Sequence, residues 1–74
     1  MSAALLCAAV DLNNASKEEL MTLNGIGSKK ADAILSYRAT HCLKNFEELE
    51  NIKGIGNKLI EKNRELMTVG KCQL

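Results

Sequence analysis

Leu23-Asn24-Gly25-Ile26-Gly27-Ser28-Lys29-Lys30 and Ile52-Lys53-Gly54-Ile55-Gly56-Asn57-Lys58 lie 29 positions apart in a 74-residue chain. The same shift lays Glu18-Glu19-Leu20 on Glu47-Glu48-Leu49 and Ser16 on Asn45, and no gap is needed. Two copies are too few for a solenoid. The pattern predicts instead a compact pair of units whose apolar faces bury each other.

Each copy reads as helix, tight turn, helix. In the first, Ser16 opens a helix and Glu19 completes a capping box. Glu18 and Glu19 sit in the first turn, where the helix dipole favours acids. Leu20 and Leu23 supply the apolar stripe, and Asn24-Gly25 stop the helix. The next helix is expected after a cap at Ser28, with Ala31, Ile34 and Leu35 inward, running to about Thr40. In the second copy Asn45 caps, Glu48 takes the box position, and Phe46, Leu49 and Ile52 form the stripe. Asn57 is expected to cap a last helix with Leu59, Ile60, Leu66 and Met67 inward, ended by Gly70. No strand pattern is evident, and Val10 to Asn14 reads as an extended lead-in with Leu12 tucked against the core. The joint, Ala39 to Lys44, is too short to separate the copies. The expected fold is all-α: two tandem helix-hairpin-helix units, four main helices in all, packed with approximate two-fold symmetry over residues 10–70. Residues 71–74 form a tail.

A Gly-Ile-Gly turn between two helices has two uses. Glycine reaches backbone angles that other residues reach only at a cost, which alone accounts for Gly25 and Gly27 as turn formers. It also lets a ligand come close to the loop amides, at the point where the following helix aims its unpaired amides and positive dipole end. That arrangement suits an anion, with Ile26 and Ile55 as apolar plugs into the core. Lys29 and Lys30 follow the first loop, and Lys53 and Lys58 bracket the second, so four of the ten basic residues lie at the loops. The carboxylates gather elsewhere, at Glu18, Glu19, Glu47, Glu48 and Glu50. A chain with a net charge of only +1 can therefore present a locally positive face.

The composition narrows the function further. With Tyr37 and Phe46 as the only aromatics, there is no base-stacking platform of the kind that binds single strands. There is no nucleophile–base pair, and a chain this small has little room for a pocket, so an enzyme is not expected. Cys7, Cys42 and Cys72 lack metal-ligand spacing, and His41 does not complete a zinc site. The cysteines read as small unpaired residues or as one optional disulfide. Met1 to Ala9 are small and apolar. Leu5-Leu6-Cys7-Ala8-Ala9 reads equally as the remnant of a secretory signal or as a flexible N-terminus. Tyr37 and Arg38 read as packing and capping residues, and Lys62 and Arg64 as a solvated helix face.

Val10-Asp11-Leu12-Asn13-Asn14-Ala15-Ser16, Glu19-Leu20, Leu23 to Gly27, Ala31, Ile34 through Tyr37-Arg38, Phe46, Leu49 and Lys53-Gly54-Ile55-Gly56 together resemble the ComEA-like competence proteins. The resemblance spans roughly residues 10–69. It implies a receptor that binds double-stranded DNA without sequence preference, across the minor groove, outside the cytoplasmic membrane (periplasmic or on its outer face). It further implies work alongside other DNA-uptake proteins, with no small-molecule substrate. The implied contacts are Gly25, Ile26, Gly27, Lys29 and Lys30, with Gly54, Ile55, Gly56 and Lys58. Glycine and isoleucine would donate main-chain amides, and lysine would pair with charge. No cofactor is implied, although some hairpins of this kind hold a monovalent cation on loop carbonyls. This chain departs from the family at Asn24 and Lys53, where proline is frequent. It departs again at Asn63, which falls on the inward stripe where the first copy has Ile34 and so needs hydrogen-bond partners. The competing reading is a protein–protein interaction module, because helix-hairpin-helix pairs also dimerise and a related fold contacts protein in an extrinsic subunit of photosystem II.

Overall fold

The computed structural model describes residues 9–74; the signal-or-flexible reading of the N-terminus concerns residues that lie, Ala9 apart, outside them. The order of elements is β1 (Val10–Asp11), α1 (Lys17–Leu20), α2 (Ser28–Arg38), a 3-10 helix (Phe46–Asn51), α3 (Asn57–Asn63), a 3-10 turn (Arg64–Leu66) and β2 (Met67–Thr68). The chain is mostly helical, as the hydrophobic spacing predicts.

The first helix starts as expected. The Ser16 hydroxyl accepts from the Glu19 amide, and the Glu19 carboxylate accepts from the Ser16 amide. After Met21 the bonds tighten: the amides of Thr22, Leu23 and Ile26 donate to carbonyls three residues back. In the second copy the whole first helix is 3-10. Phe46, Leu49 and Ile52 recur every three residues, which matches the three-residue turn and keeps them on one face. Asn45 caps the Glu48 amide as expected, but the Glu48 carboxylate accepts from the Lys44 amide.

Four expectations at element ends are corrected. α2 and α3 begin from N-caps at Gly27 and Gly56, so Ser28 and Asn57 are first helical residues rather than caps. α2 ends at Arg38 rather than Thr40. The last helix gives way to a 3-10 turn at Arg64, and this change of phase leaves Leu66 exposed while Met67 points inward. Gly70 does not end a helix. It follows β2, which pairs in parallel with β1 in the register Val10 with Met67 and Asp11 with Thr68. A two-residue pairing is too short to leave a periodic trace in sequence.

One core serves both copies. Leu12, Leu20, Leu23, Ile26, Ala31 and Ile34 from the first half meet Leu43, Leu49, Ile52, Ile55, Ile60 and Met67 from the second. Leu43 belongs to the joint, which therefore supplies core as well as linkage.

The lead-in is held by side chains bonding to main chain. Buried Asn13 donates to the carbonyls of Leu43 and Gly70 (both 2.9 Å) and accepts from the Leu43 amide. Arg38 donates to the carbonyls of Leu12 (3.0 Å) and Ala15 (2.6 Å), so it is a structural residue, as its sequence position implied. Asn14 reaches the Lys71 carbonyl. A disulfide joins Cys42 to Cys72 across a Cα separation of 5.5 Å, beside the contacts that Asn13 and Asn14 make.

Asp11 ties the same residues together. Its carboxylate accepts from the Asn13 amide, the Gly70 amide and the Asn14 side chain. A Cβ at position 70 would run into that carboxylate, so glycine is required there by close approach. Burial pushes the Asp11 carboxyl up, but the hydrogen bonds from Asn14, Gly70 and Asn13 together hold it below its ordinary value.

Two measurements check this junction. The disulfide closes a long loop (sequence separation 30), so reduction, or Cys42→Ser with Cys72→Ser, is expected to cost about 3 kcal/mol in urea unfolding. A depressed carboxyl stabilises the fold above its unfolded value, and that stabilisation is lost as pH falls through the lower folded value. Unfolding free energy should therefore fall below about pH 4. Asp11→Asn should be less stable at neutral pH and show a flatter acid limb; parallel limbs would refute the assignment.

Candidate functional site

The two hairpins sit against each other's helices. A Cβ built on Gly25 would come within 2.6 Å of Leu59 Cδ1, and one built on Gly54 would lie 3.4 Å from Lys30 Cε. Leu59 and Lys30 are third residues of α3 and α2, so each loop lies beside the start of the other copy's helix. The structure thus brings both loops and both helix starts into one region. Lys30, grouped with the first loop in sequence, has its stem beside the second.

The four glycines divide into two kinds. Gly25 and Gly54 have φ of +79° and +92°, the left-handed region where a side chain is strained. Gly27 and Gly56 are extended, with φ/ψ of −96°/−166° and −114°/−178°. Any residue adopts that conformation, and a Cβ at either position would meet nothing within 4 Å. The turn therefore requires glycine at Gly25 but not at Gly27, which revises the conformational reading of the sequence.

Ile26 and Ile55 are buried, at 6% and 5% exposure, and plug the core as anticipated. Their amides are engaged inside the turns, donating to the carbonyls of Leu23 (3.2 Å) and Ile52 (3.1 Å). Outward donation from these two amides, expected from the family resemblance, is therefore not available in this geometry. The helix starts provide the alternative. The first α-helical bonds run from Ala31 to the Gly27 carbonyl and from Ile60 to the Gly56 carbonyl. The amides of Ser28, Lys29 and Lys30, and of Asn57, Lys58 and Leu59, precede those bonds and have no α-helical acceptor. No side chain caps either start.

Charge follows the same division. The ion pairs among the described residues join Lys17 to Asp32 (3.1 Å) and Arg64 to Glu47 (2.9 Å) and Glu61; none uses Lys29, Lys30, Lys53 or Lys58. Arg64, expected on a solvated face, lies over the Phe46 ring at 5.4 Å. Its hydrogen bonds hold the Glu47 and Glu61 carboxyls below their ordinary range. Among the described residues no cluster of three or more His, Cys, Asp or Glu side chains could hold a metal.

Two other contacts link the copies. Buried Asn63 accepts from the Asn24 amide (2.8 Å) and donates to the carbonyls of Asn24 and Leu59 (both 2.9 Å), so its need for partners is met. Asn51 donates to the Tyr37 hydroxyl, and Tyr37 stacks on exposed His41. The break in the repeat marks Asn63 in the sequence, whereas its partners are set by the fold.

With this geometry in place, the comparisons define the class. The family described as the helix-hairpin-helix motif matches residues 7–68, and the chain belongs to it. Its relatives include a Haemophilus influenzae protein described as uncharacterized, 43% identical over 58 residues (76% of this chain, 52% of that one). ComE operon protein 1 of Bacillus subtilis is 38% identical over 63 residues, 84% of this chain and 31% of the relative. The chain is therefore a ComEA-like helix-hairpin-helix domain, and it spans about half of the first relative and under a third of the second. A kinesin-like protein of rice, KIN-10B, is 42% identical over 53 residues, only 7% of its length.

The glycine division predicts opposite outcomes. Gly25→Ala adds a strained φ and meets Leu59, so it should lose about 1–3 kcal/mol. Gly27→Ala and Gly56→Ala should each lose about 1 kcal/mol or less. Chemical unfolding of the three variants reads the difference.

Proposed function

We propose that this domain binds double-stranded DNA through its phosphate backbone, without regard to sequence, as a receptor module in DNA uptake. The observation that carries the reading is the state of the two helix starts. Ser, Asn or Asp at a cap would occupy one of the free amides and stabilise the helix. Both copies instead have glycine, at positions where the backbone accepts any residue and a Cβ would meet open space. What glycine supplies there is access for an outside acceptor.

In this reading the amides at the starts of α2 and α3 donate to phosphate oxygens, with Gly25, Gly27, Gly54 and Gly56 allowing close approach. Lys29, Lys30 and Lys58 pair with neighbouring phosphates. Ile26 and Ile55 hold the loops in place from below. The two units are related by an approximate two-fold, which is supported by their reciprocal contacts: Lys30 beside Gly54 and Leu59 beside Gly25 occupy positions that the repeat exchanges. Two loops so arranged grip phosphates on both sides of one groove. Backbone contacts carry no sequence information. The module binds and does not catalyse, and it requires no cofactor. The Cys42–Cys72 disulfide supports residence in an oxidising compartment, consistent with the periplasm or the outer face of the membrane, where other uptake proteins would be its neighbours.

The test is a salt titration with unrelated duplexes and with single strands of the same length. With about four to six phosphates engaged, log K should fall with log salt at a slope of about −4 to −5, equally for every duplex. Gly27→Val combined with Gly56→Val should abolish most of this binding while helix content persists. Absence of duplex binding at low salt would overturn the reading and favour a protein partner.

A further inference from the structure

We infer that Asn63 is a positioning residue that fixes the first hairpin relative to the second, so that both loops engage one duplex together; the inference rests on the DNA-binding reading above. The repeat breaks at this position. Ile34 fills the core of the first copy, whereas the aligned residue of the second is an amide, buried to 2% exposure. An apolar residue would fill the same space without the cost of desolvating an amide. A buried, fully bonded polar group adds little net stability, so its distinct contribution is direction.

All three of its hydrogen bonds go to main chain. It takes both the N–H and the C=O of Asn24, the residue before Gly25, and bonds to the Leu59 carbonyl one turn back in its own helix. Holding donor and acceptor of one residue fixes where that residue sits and how it is turned. The Leu59 side chain meanwhile lies against Gly25. The entry of the first loop is thus seated on α3, the helix that starts directly from Gly56 of the second loop. One short rigid helix therefore spans from one phosphate site to the seat of the other. Ile34 can offer no such bond to Lys53, so only the first hairpin is held this way. Two sites joined rigidly at the right spacing bind with an advantage that neither has alone, and loosening the seat removes that advantage while leaving each loop intact.

The experiment is a double-mutant cycle on duplex affinity, measured by fluorescence anisotropy with the full chain: wild type, Asn63→Leu, Gly27→Glu (which disables the first loop), and both together. Asn63→Leu is expected to weaken duplex binding about tenfold and to make the salt slope shallower. On the Gly27→Glu background it should add no further loss, because there is no first loop left to place. Binding is measured well below the thermal midpoint of the least stable variant, so that loss of affinity is read on folded protein and is separated from general destabilisation. Wild-type affinity in Asn63→Leu, or a loss of equal size on both backgrounds, overturns the inference and leaves the DNA reading standing. Absence of duplex binding by the wild type overturns both. If Asn63→Leu does not fold, the same cycle with Leu59→Ala, which loosens the same seat at a half-buried position, decides by the same criteria.

Discussion

Neither copy of the repeat can bury its own apolar face. A unit of this size has a helical turn, a loop and a second helix, all apolar on one side, and a surface too large for its volume. The two faces must close on each other, and most of the molecule follows from that closure. Leu20, Leu23, Ile26, Ala31 and Ile34 have to meet Leu49, Ile52, Ile55 and Ile60. Because Ile26 and Ile55 are both core residues and both loop residues, burying them draws the two Gly-Ile-Gly turns into the same core, each beside the other's helix. The placement of the loops is thus a consequence of packing.

Helices this short leave many main-chain groups without helical partners. The chain meets that demand with side chains acting across distance. Asn13 bonds to the joint and to Gly70, two residues past β2. Arg38 closes the lead-in, Asp11 draws in Gly70, and Asn63 takes both polar groups of Asn24. No buried side-chain nitrogen or oxygen among the described residues lacks a partner. These seams, with the disulfide, hold the ends of the domain where strands of useful length are absent. The starts of α2 and α3, by contrast, have no side-chain cap at all.

The division between what sequence revealed and what it hid follows the range of each interaction. The Ser16–Glu19 capping box, the Asn45 cap, the plugs Ile26 and Ile55, and the burial of Leu12 depend on residues a few positions apart or on one apolar side chain in a regular pattern, and these were readable. The parallel pairing of Val10-Asp11 with Met67-Thr68 was not, because it joins chain ends over only two residues. The Cys42–Cys72 bond, the burial of Leu43 and the partners of Asn63 are likewise set by tertiary packing. The helix starts were misplaced by one residue for a local reason: Ser28 and Asn57 look like caps by residue type, yet the extended backbone that defines a cap falls on Gly27 and Gly56. At the candidate site, the glycines, isoleucines and lysines could be named in advance. Which amides remain free, and which loop Lys30 accompanies, required the fold.

That one-residue displacement bears on function. A serine or asparagine cap holds a helix better than a glycine cap by about a few tenths of a kcal/mol, and the chain has both residue types adjacent to the positions where they would serve. It uses them at Ser16 and Asn45, where α1 and the 3-10 helix begin away from the loops. At α2 and α3 it forgoes them. Glycine is the weaker cap at these two positions, and neither the ordinary backbone there nor the open space beyond requires it. Local rules broken without structural return tend to mark functional sites. Four of the lysines that form no ion pair among the described residues, Lys29, Lys30, Lys53 and Lys58, flank the same two positions, while the ion pairs of Lys17 and Arg64 engage carboxylates elsewhere. Uncapped amides and unpaired lysines thus meet at the same two helix starts, a coincidence that supports an anion with several acceptor oxygens as the proposed partner.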